Sequence, residues 1–209
     1  MSIKRLINRP ALCVGVVIVA VVSIGTSTGI AKRSATPQAR VAASWTPSAA
    51  LVEQLAKARM ATAKYVTNLE LAKADGYQII TRMIPNMGYH FLNPNVQGFN
   101  VEKPPILVYE HRGSSWQLGA LEWVYTAKPD TPPFPGAKYG TFGAGCHYVD
   151  GTFVPADTQA ACPATSPQTG AAFNFWHPLL ITLHVWLWYP NPTGLFASTN
   201  PLVAAFNNG

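Results

Sequence analysis

The pattern of apolar and polar positions predicts a helix at the start of the folded part of the chain. Between residues 47 and 74, apolar side chains recur every three or four residues, the spacing of one helix face. Thr46 is the expected N-cap, with Pro47 at the first helical position. Asp75-Gly76 is the expected end, because glycine suits the left-handed position after a helix. We therefore predict one long helix that is either continuous or broken once.

From Tyr77 onward the period changes to two, which is typical of half-buried strands. Residues 128–170 are rich in Pro, Gly, Thr and Ala and are predicted to form a long irregular excursion. A long N-terminal helix packed on a mostly antiparallel sheet or open β-barrel gives the predicted fold class, α+β. The predicted strands are YQIITRMI, MGYHFL, PPILVYE, WQLGALEWVYTA and LLITLHVWLWYP, the third and fourth joined as a hairpin.

The first 46 residues differ from the rest. Three basic residues precede an apolar run over 11–25, and small residues follow it, so residues 1–31 resemble a secretory signal peptide. The alternative is an uncleaved anchor, which would be the protein's sole membrane contact; the run is short for the ~20 residues of a span. Residues 32–46 are predicted to be a flexible tether and 47–209 a single globular domain. Both alternatives place that domain outside the cytoplasm, secreted or extracytoplasmic.

Composition limits the classes of partner. Hydrophobic residues make up 48% of the chain and charged residues 11%, so the chain can bury a sizeable core. The net charge of +6 includes the basic N-terminal residues, and no basic run is interleaved with aromatic residues, so nucleic-acid binding is not expected. The aromatic content fits either a small-molecule ligand or ordinary sheet packing. The oligomeric state is not indicated.

Cys146 and Cys162 remain after the targeting segment. An even pair in an oxidising compartment predicts a disulfide. The adjacency of Cys146 and His147 also fits a thiolate ligand or nucleophile, but the extracellular location favours the disulfide.

The candidate chemistry begins with a histidine in the last predicted strand. Alternation puts His184 on the face of Thr182, Trp186 and Trp188, opposite an almost purely apolar face. A buried imidazole needs partners for its ring nitrogens. The strand thus predicts a pocket or second layer on the His184 side.

Two further strands carry an ionisable residue on an apolar face. Glu122 is predicted to share its face with Leu118, Ala120 and Val124, where a carboxylate is costly unless it is paired, protonated or bound to metal. His90 follows the same pattern in its own strand. If the faces converge, two imidazoles and one carboxylate meet.

Such a set suits a mononuclear divalent metal, Zn, Fe or Cu, and also suits acid–base chemistry without metal. Each residue also has an ordinary interpretation: the histidines as hydrogen-bonded core residues, Glu122 as a partner of Arg82. No HExxH, His-x-His or CxxC motif occurs. The predicted metal ligands are His90, Glu122 and His184, with His177 and His147 as additional candidates and Tyr89, Trp186 and Trp188 as pocket residues.

The segments MGYH, LEWVY and LHVWLWYPNPTGLFASTNP resemble the signatures of a family of secreted bacterial and fungal-type proteins with no established activity. Members share an ATAKY…ADGY-like helix, MGYHxxNP and LHVWxWxxNPxGxFAxxNP. The likeness covers residues 61–203 and implies one domain but no reaction. His90, Glu122 and His184 fall inside the signature segments, while the Cys146–Cys162 excursion departs from the pattern.

Two hypotheses follow. The first is a secreted mononuclear metal-binding protein with an aromatic-lined pocket, which could be an enzyme acting on a small organic molecule. The second is a non-catalytic extracytoplasmic module that binds a ligand or partner through its aromatic face.

Overall fold

The computed structural model describes residues 46–203. The predicted signal segment and nearly all of the predicted tether lie outside these residues, so both stay predictions. Within the described range, none of the helices has the length and apolar character that crossing a membrane requires.

The helical part is shorter than predicted and begins later. Helix α1 spans Ala49–Thr62, and its N-cap is Ser48 rather than Thr46, because the Ser48 hydroxyl accepts the backbone N–H of Leu51 at 3.2 Å.

The chain then tightens into a 3₁₀ turn, Ala63–Tyr65, and restarts as α2, Leu69–Ala74. Asn68 causes the restart, since its side chain accepts the backbone N–H of Leu71 and so caps a second helix. The predicted end is confirmed: Gly76 follows α2 with a φ of +99°.

Nine strands form two antiparallel sheets within residues 46–203. The first sheet has the order β1-β2-β3-β4-β9-β5 and curls into a half-barrel, and the second has the order β7-β6-β8. The strands are β1 Gln78–Ile84, β2 Gly88–Leu92, β3 Ile106–Arg112, β4 Ser115–Tyr125, β5 Gly140–Phe142, β6 Gly145–Tyr148, β7 Phe153–Pro155, β8 Phe173–His177 and β9 Leu180–Val185.

The α+β prediction is therefore wrong, and the described domain is mostly β. The long helix does not form, and residues 128–170 contain three strands, β5, β6 and β7, instead of an irregular excursion. These strands have three or four residues each. Runs this short contain too few alternations for a period of two to stand out among the prolines and glycines.

The first sheet separates two apolar clusters. One face packs against α1 and α2 through residues such as Leu107, Leu121 and Leu183. The other face carries Ile106 and Val108 and belongs to a smaller cluster. This second face holds the predicted site.

Two irregularities change which side chains share a face. A bulge in β4 at Gly119 places Leu118 in the helix-side cluster and Ala120 in the other, so Leu118 does not share the face of Glu122 as predicted. The second irregularity is in the last predicted strand, where β9 stops at Val185. Beyond Leu187 the side chains no longer alternate between the faces, because Trp188 packs with the helix-side cluster and Trp186 with the other.

The predicted disulfide between Cys146 and Cys162 is present, closing a loop with a sequence separation of 16. It ties the central strand of the second sheet to the segment after a 3₁₀ turn, Gln159–Ala161. A loop of this length is expected to stabilise the fold by about 3 kcal/mol. The bond is consistent with a location outside the cytoplasm.

Candidate metal centre

Three strands of the first sheet bring His90, Glu122 and His184 together, as predicted. Nε2 of His90 lies 3.6 Å from Oε2 of Glu122, and Nε2 of His184 lies 3.5 Å from Oε1. One donor atom from each residue lies within 4.8 Å of the others, so the group could hold a metal ion.

The sheet register explains how the three side chains meet. Glu122 in β4 and His184 in β9 are direct cross-strand partners. His90 lies on β2, beyond the intervening strand β3. Strands two apart in a flat sheet are separated by about 10 Å. The side chains of His90 and Glu122 therefore meet above β3 on this face of the curled sheet.

All three residues are buried, with side chains between 1% and 6% exposed. Burial raises the pKa of Glu122 to about 8. Burial lowers the pKa of His184 to about 4, and burial together with repulsion from His184 and His147 lowers that of His90 to about 3. At neutral pH without metal, the group is therefore two neutral imidazoles and a protonated carboxyl, even though the distances would suit ion pairs.

A hydroxyl from β1 orients His90. Nδ1 of His90 lies 2.7 Å from Oγ1 of Thr81, which also accepts the backbone N–H of His90 at 3.3 Å. When Nδ1 donates to this oxygen, the lone pair of Nε2 faces Glu122. Such a hydrogen bond on the outer nitrogen is typical of histidines that bind metals.

The ring of His184 could accept or donate further hydrogen bonds. Neither of its ring nitrogens has a hydrogen-bond partner among the described residues, although its side chain is only 1% exposed. A buried polar atom without a partner costs about 1–3 kcal/mol. A metal bound at Nε2 would give that nitrogen a partner.

The donor spacing fits one metal ion. Two ligand atoms about 2.1 Å from zinc are about 3.4 Å apart at the tetrahedral angle and about 3.0 Å apart in an octahedral cis arrangement. The observed 3.5 and 3.6 Å end on the two different oxygens of Glu122, and one donor atom from each residue lies within 4.8 Å of the others, so an ion would draw the three ligands slightly closer together. Three protein ligands would leave one position open, as in catalytic zinc sites.

The group borders a cavity of about 320 Å³ that lies between the two sheets. His90 and Glu122 are in its wall on the side of the first sheet. His147 and Phe175 close it from the second sheet. Most of the remaining lining is aliphatic or aromatic, so an ion at the group would face an apolar chamber.

The additional candidates, His147 and His177, lie on β6 and β8 and line the same cavity. The ring centroids of these two histidines are 4.9 Å apart. Neither histidine belongs to the group of close metal donors, which among the described residues consists of His90, Glu122 and His184. His147 is buried, with an exposure of only 1%.

The predicted pocket aromatics are divided between the faces of the first sheet. Trp186 stacks on His184, with ring centroids 6.2 Å apart. Tyr89 and Trp188 pack with the helix-side cluster, and Trp188 donates its indole N–H to the Thr62 hydroxyl. Phe142 and Phe175, which line the cavity, were not singled out from the sequence because their strands were not predicted.

The ordinary partner suggested for Glu122 is used elsewhere, because Arg82 pairs with Asp150. The chain was also compared with protein-family models, curated proteins and solved structures, and none of them matches. The resemblance to a family of secreted proteins therefore stays a prediction.

Proposed function

We propose that this is an exported metal-binding protein whose ion is held by His90, Glu122 and His184. The observation that carries the proposal is the meeting of three buried donors from three strands, two of them on the wall of an apolar cavity. The unpartnered nitrogens of His184 add support, because a buried group in this state calls for a ligand.

The charges of the site fit a divalent cation. At neutral pH a metal would displace the proton of Glu122 and place a compensating positive charge next to the carboxylate. Two imidazoles and one carboxylate accommodate zinc, and also ferrous iron with open coordination positions.

The cavity extends the proposal to a small molecule. Cavities of a few hundred Å³ accommodate small ligands, and this one, at about 320 Å³, borders two of the proposed metal ligands. The open coordination position could then polarise a group of the bound molecule or activate a water molecule. We infer that any catalysis is metal-assisted chemistry on that molecule.

Metal analysis of the purified protein tests the proposal. Wild-type protein is expected to bind close to one equivalent of Zn²⁺ or Co²⁺, and His184→Ala and Glu122→Gln are expected to bind at least ten times more weakly. His111→Ala is the matched control, because His111 stacks on Trp116 on the helix side of the sheet. Wild-type protein that binds no metal, or a His184→Ala variant that binds like wild type, would contradict the proposal.

A further inference from the structure

The cavity contains a second pair of imidazoles that the proposed metal centre does not use. His147 and His177 project from adjacent strands of the second sheet and are 1% and 7% exposed. Aromatic side chains fix both rings: His147 stacks on Phe175 at 4.5 Å between centroids, and His177 stacks on Phe142 at 5.2 Å.

The hydrogen bonds determine which nitrogen of each ring carries hydrogen. Nδ1 of His147 lies 2.6 Å from the carbonyl oxygen of Ile80, and Nδ1 of His177 lies 2.6 Å from that of Pro178. A carbonyl oxygen can only accept, so each Nδ1 is the donor. Burial lowers the pKa of both rings, which keeps them neutral near pH 7. Each Nε2 is therefore a hydrogen-bond acceptor.

The acceptor on His177 has no partner. Its Nε2 is buried and has no hydrogen bond within the described residues, and the residue lines the cavity. Thr182, on the first sheet, also lines the cavity, and its Oγ1 is buried without a hydrogen-bond partner among the described residues. Buried polar atoms are nearly always paired in folded proteins, so an acceptor held in a cavity wall indicates a donor on the molecule that fills the cavity.

The remaining lining restricts the charge of that molecule. No lysine or arginine occurs among the described residues around the cavity, and most of the surface is apolar. A phosphate or sulfate would find no cationic side chain on the second-sheet side of the cavity, and the one net positive charge of a divalent ion beside the Glu122 carboxylate would compensate only part of its lost hydration. The complementary molecule is uncharged and mostly apolar, and it carries a hydrogen-bond donor for the imidazole.

We propose that the cavity binds a small, uncharged, largely apolar molecule bearing a hydroxyl group, and that Nε2 of His177 accepts the hydrogen of this hydroxyl. This inference names the ligand class of the proposed metal site and rests on that proposed function. His147 offers a second acceptor beside it. The hydroxyl thus orients the molecule between the second sheet and the Glu122 side of the cavity.

A matched pair of probes tests the inference. 4-Ethylphenol carries the hydroxyl, and 4-ethylanisole carries the same ring with the donor capped by a methyl group. Binding of each is measured by calorimetry to the full-length protein, once with metal and once after chelation. Wild type is expected to bind the phenol at least about fivefold more tightly, the effect of one neutral hydrogen bond.

Substitution of His177 tests whether this residue causes the preference for the phenol. His177→Phe keeps the ring stacking and removes the acceptor, so the ratio of the two affinities should fall to about one. His177→Asn is the second variant, because its amide can still donate to the Pro178 carbonyl while nothing replaces Nε2. His111→Phe is the control and should keep the wild-type ratio.

The possible outcomes separate the inference from the proposed function. Equal binding of both probes by wild type, or a phenol preference that survives in both His177 variants, overturns the inference. Metal content is measured on the same samples. Bound metal without a phenol preference refutes only the inference, whereas a His177-dependent preference in protein that binds no metal supports the ligand class and refutes the metal site.

Discussion

Metal binding should release a proton from Glu122, and this coupling gives the sharpest test of the site. Burial raises the pKa of Glu122 to about 8, whereas those of His90 and His184 are lowered to about 3 and about 4. Between pH 6 and 8.5 the imidazoles are already unprotonated. The carboxyl is then the sole ligand of the three from which a metal ion must displace a proton.

The magnitude follows from that pKa. The apparent dissociation constant carries a factor of 1 + 10^(8 − pH), which is about 100 at pH 6, about 10 at pH 7 and about 2 at pH 8. A plot of log Kd against pH should therefore fall with a slope close to −1 up to pH 7 and flatten above pH 8. At pH 7, about 0.9 proton should be released per metal bound.

Calorimetric titration with Co²⁺ in buffers of different ionisation enthalpy measures both the dissociation constant at each pH and the number of protons released per metal. Glu122→Gln is the matched variant, because it keeps the shape of the side chain and cannot ionise; its weaker binding should not change between pH 6 and 8. A flat wild-type profile would mean that Glu122 is ionised without metal or is not a ligand. A slope near −2.5 at pH 6 would mean that both histidines titrate near their ordinary pKa of about 6.5, and the burial argument would be wrong.

Three other predictions concern stability and orientation. Without metal, unfolded Glu122 ionises near pH 4.5 while folded Glu122 keeps its proton to about pH 8; the folded state binds more protons, so stability falls as pH rises. The unfolded histidines, whose pKa lies near 6.5, lose their remaining protons over the same range and oppose this loss equally in wild type and Glu122→Gln. Urea titration should therefore show that wild type loses about 1.6 kcal/mol relative to Glu122→Gln from pH 6.5 to 8; an equal pH dependence of the two proteins would refute this. Thr81→Val removes the partner of His90 Nδ1 and should weaken Co²⁺ binding about tenfold; unchanged affinity would assign Thr81 no orienting role. Gly88→Ala should cost more than about 2 kcal/mol, because its Cβ would collide with a facing carbonyl oxygen at a φ of +112°; Gly113→Ala, with a φ of +59° and open space, should cost less, and the reverse order would contradict the steric argument.

The sequence by itself determined what depends on local periodicity. Alternation predicted β1 to β4 and β9, because side-chain direction within one strand follows from residue parity. It placed His90 and Glu122 on otherwise apolar faces and His184 on the face opposite the apolar one. The pairing of Cys146 with Cys162 followed from their number and the expected compartment. Local pattern failed where capping intervened, since Asn68 divides what looked like one long helix.

Only the tertiary structure decided which faces meet. β9 lies beside β4, about sixty residues away in sequence, and the strand order places His90 across β3 from Glu122, where the two side chains meet. The second sheet adds His177 to the same cavity, although the short strands around it carry no readable period. Parity assigns a side chain to a face of its own strand, but distances between strands depend on pairing and curvature, which arise from contacts between residues far apart in the chain.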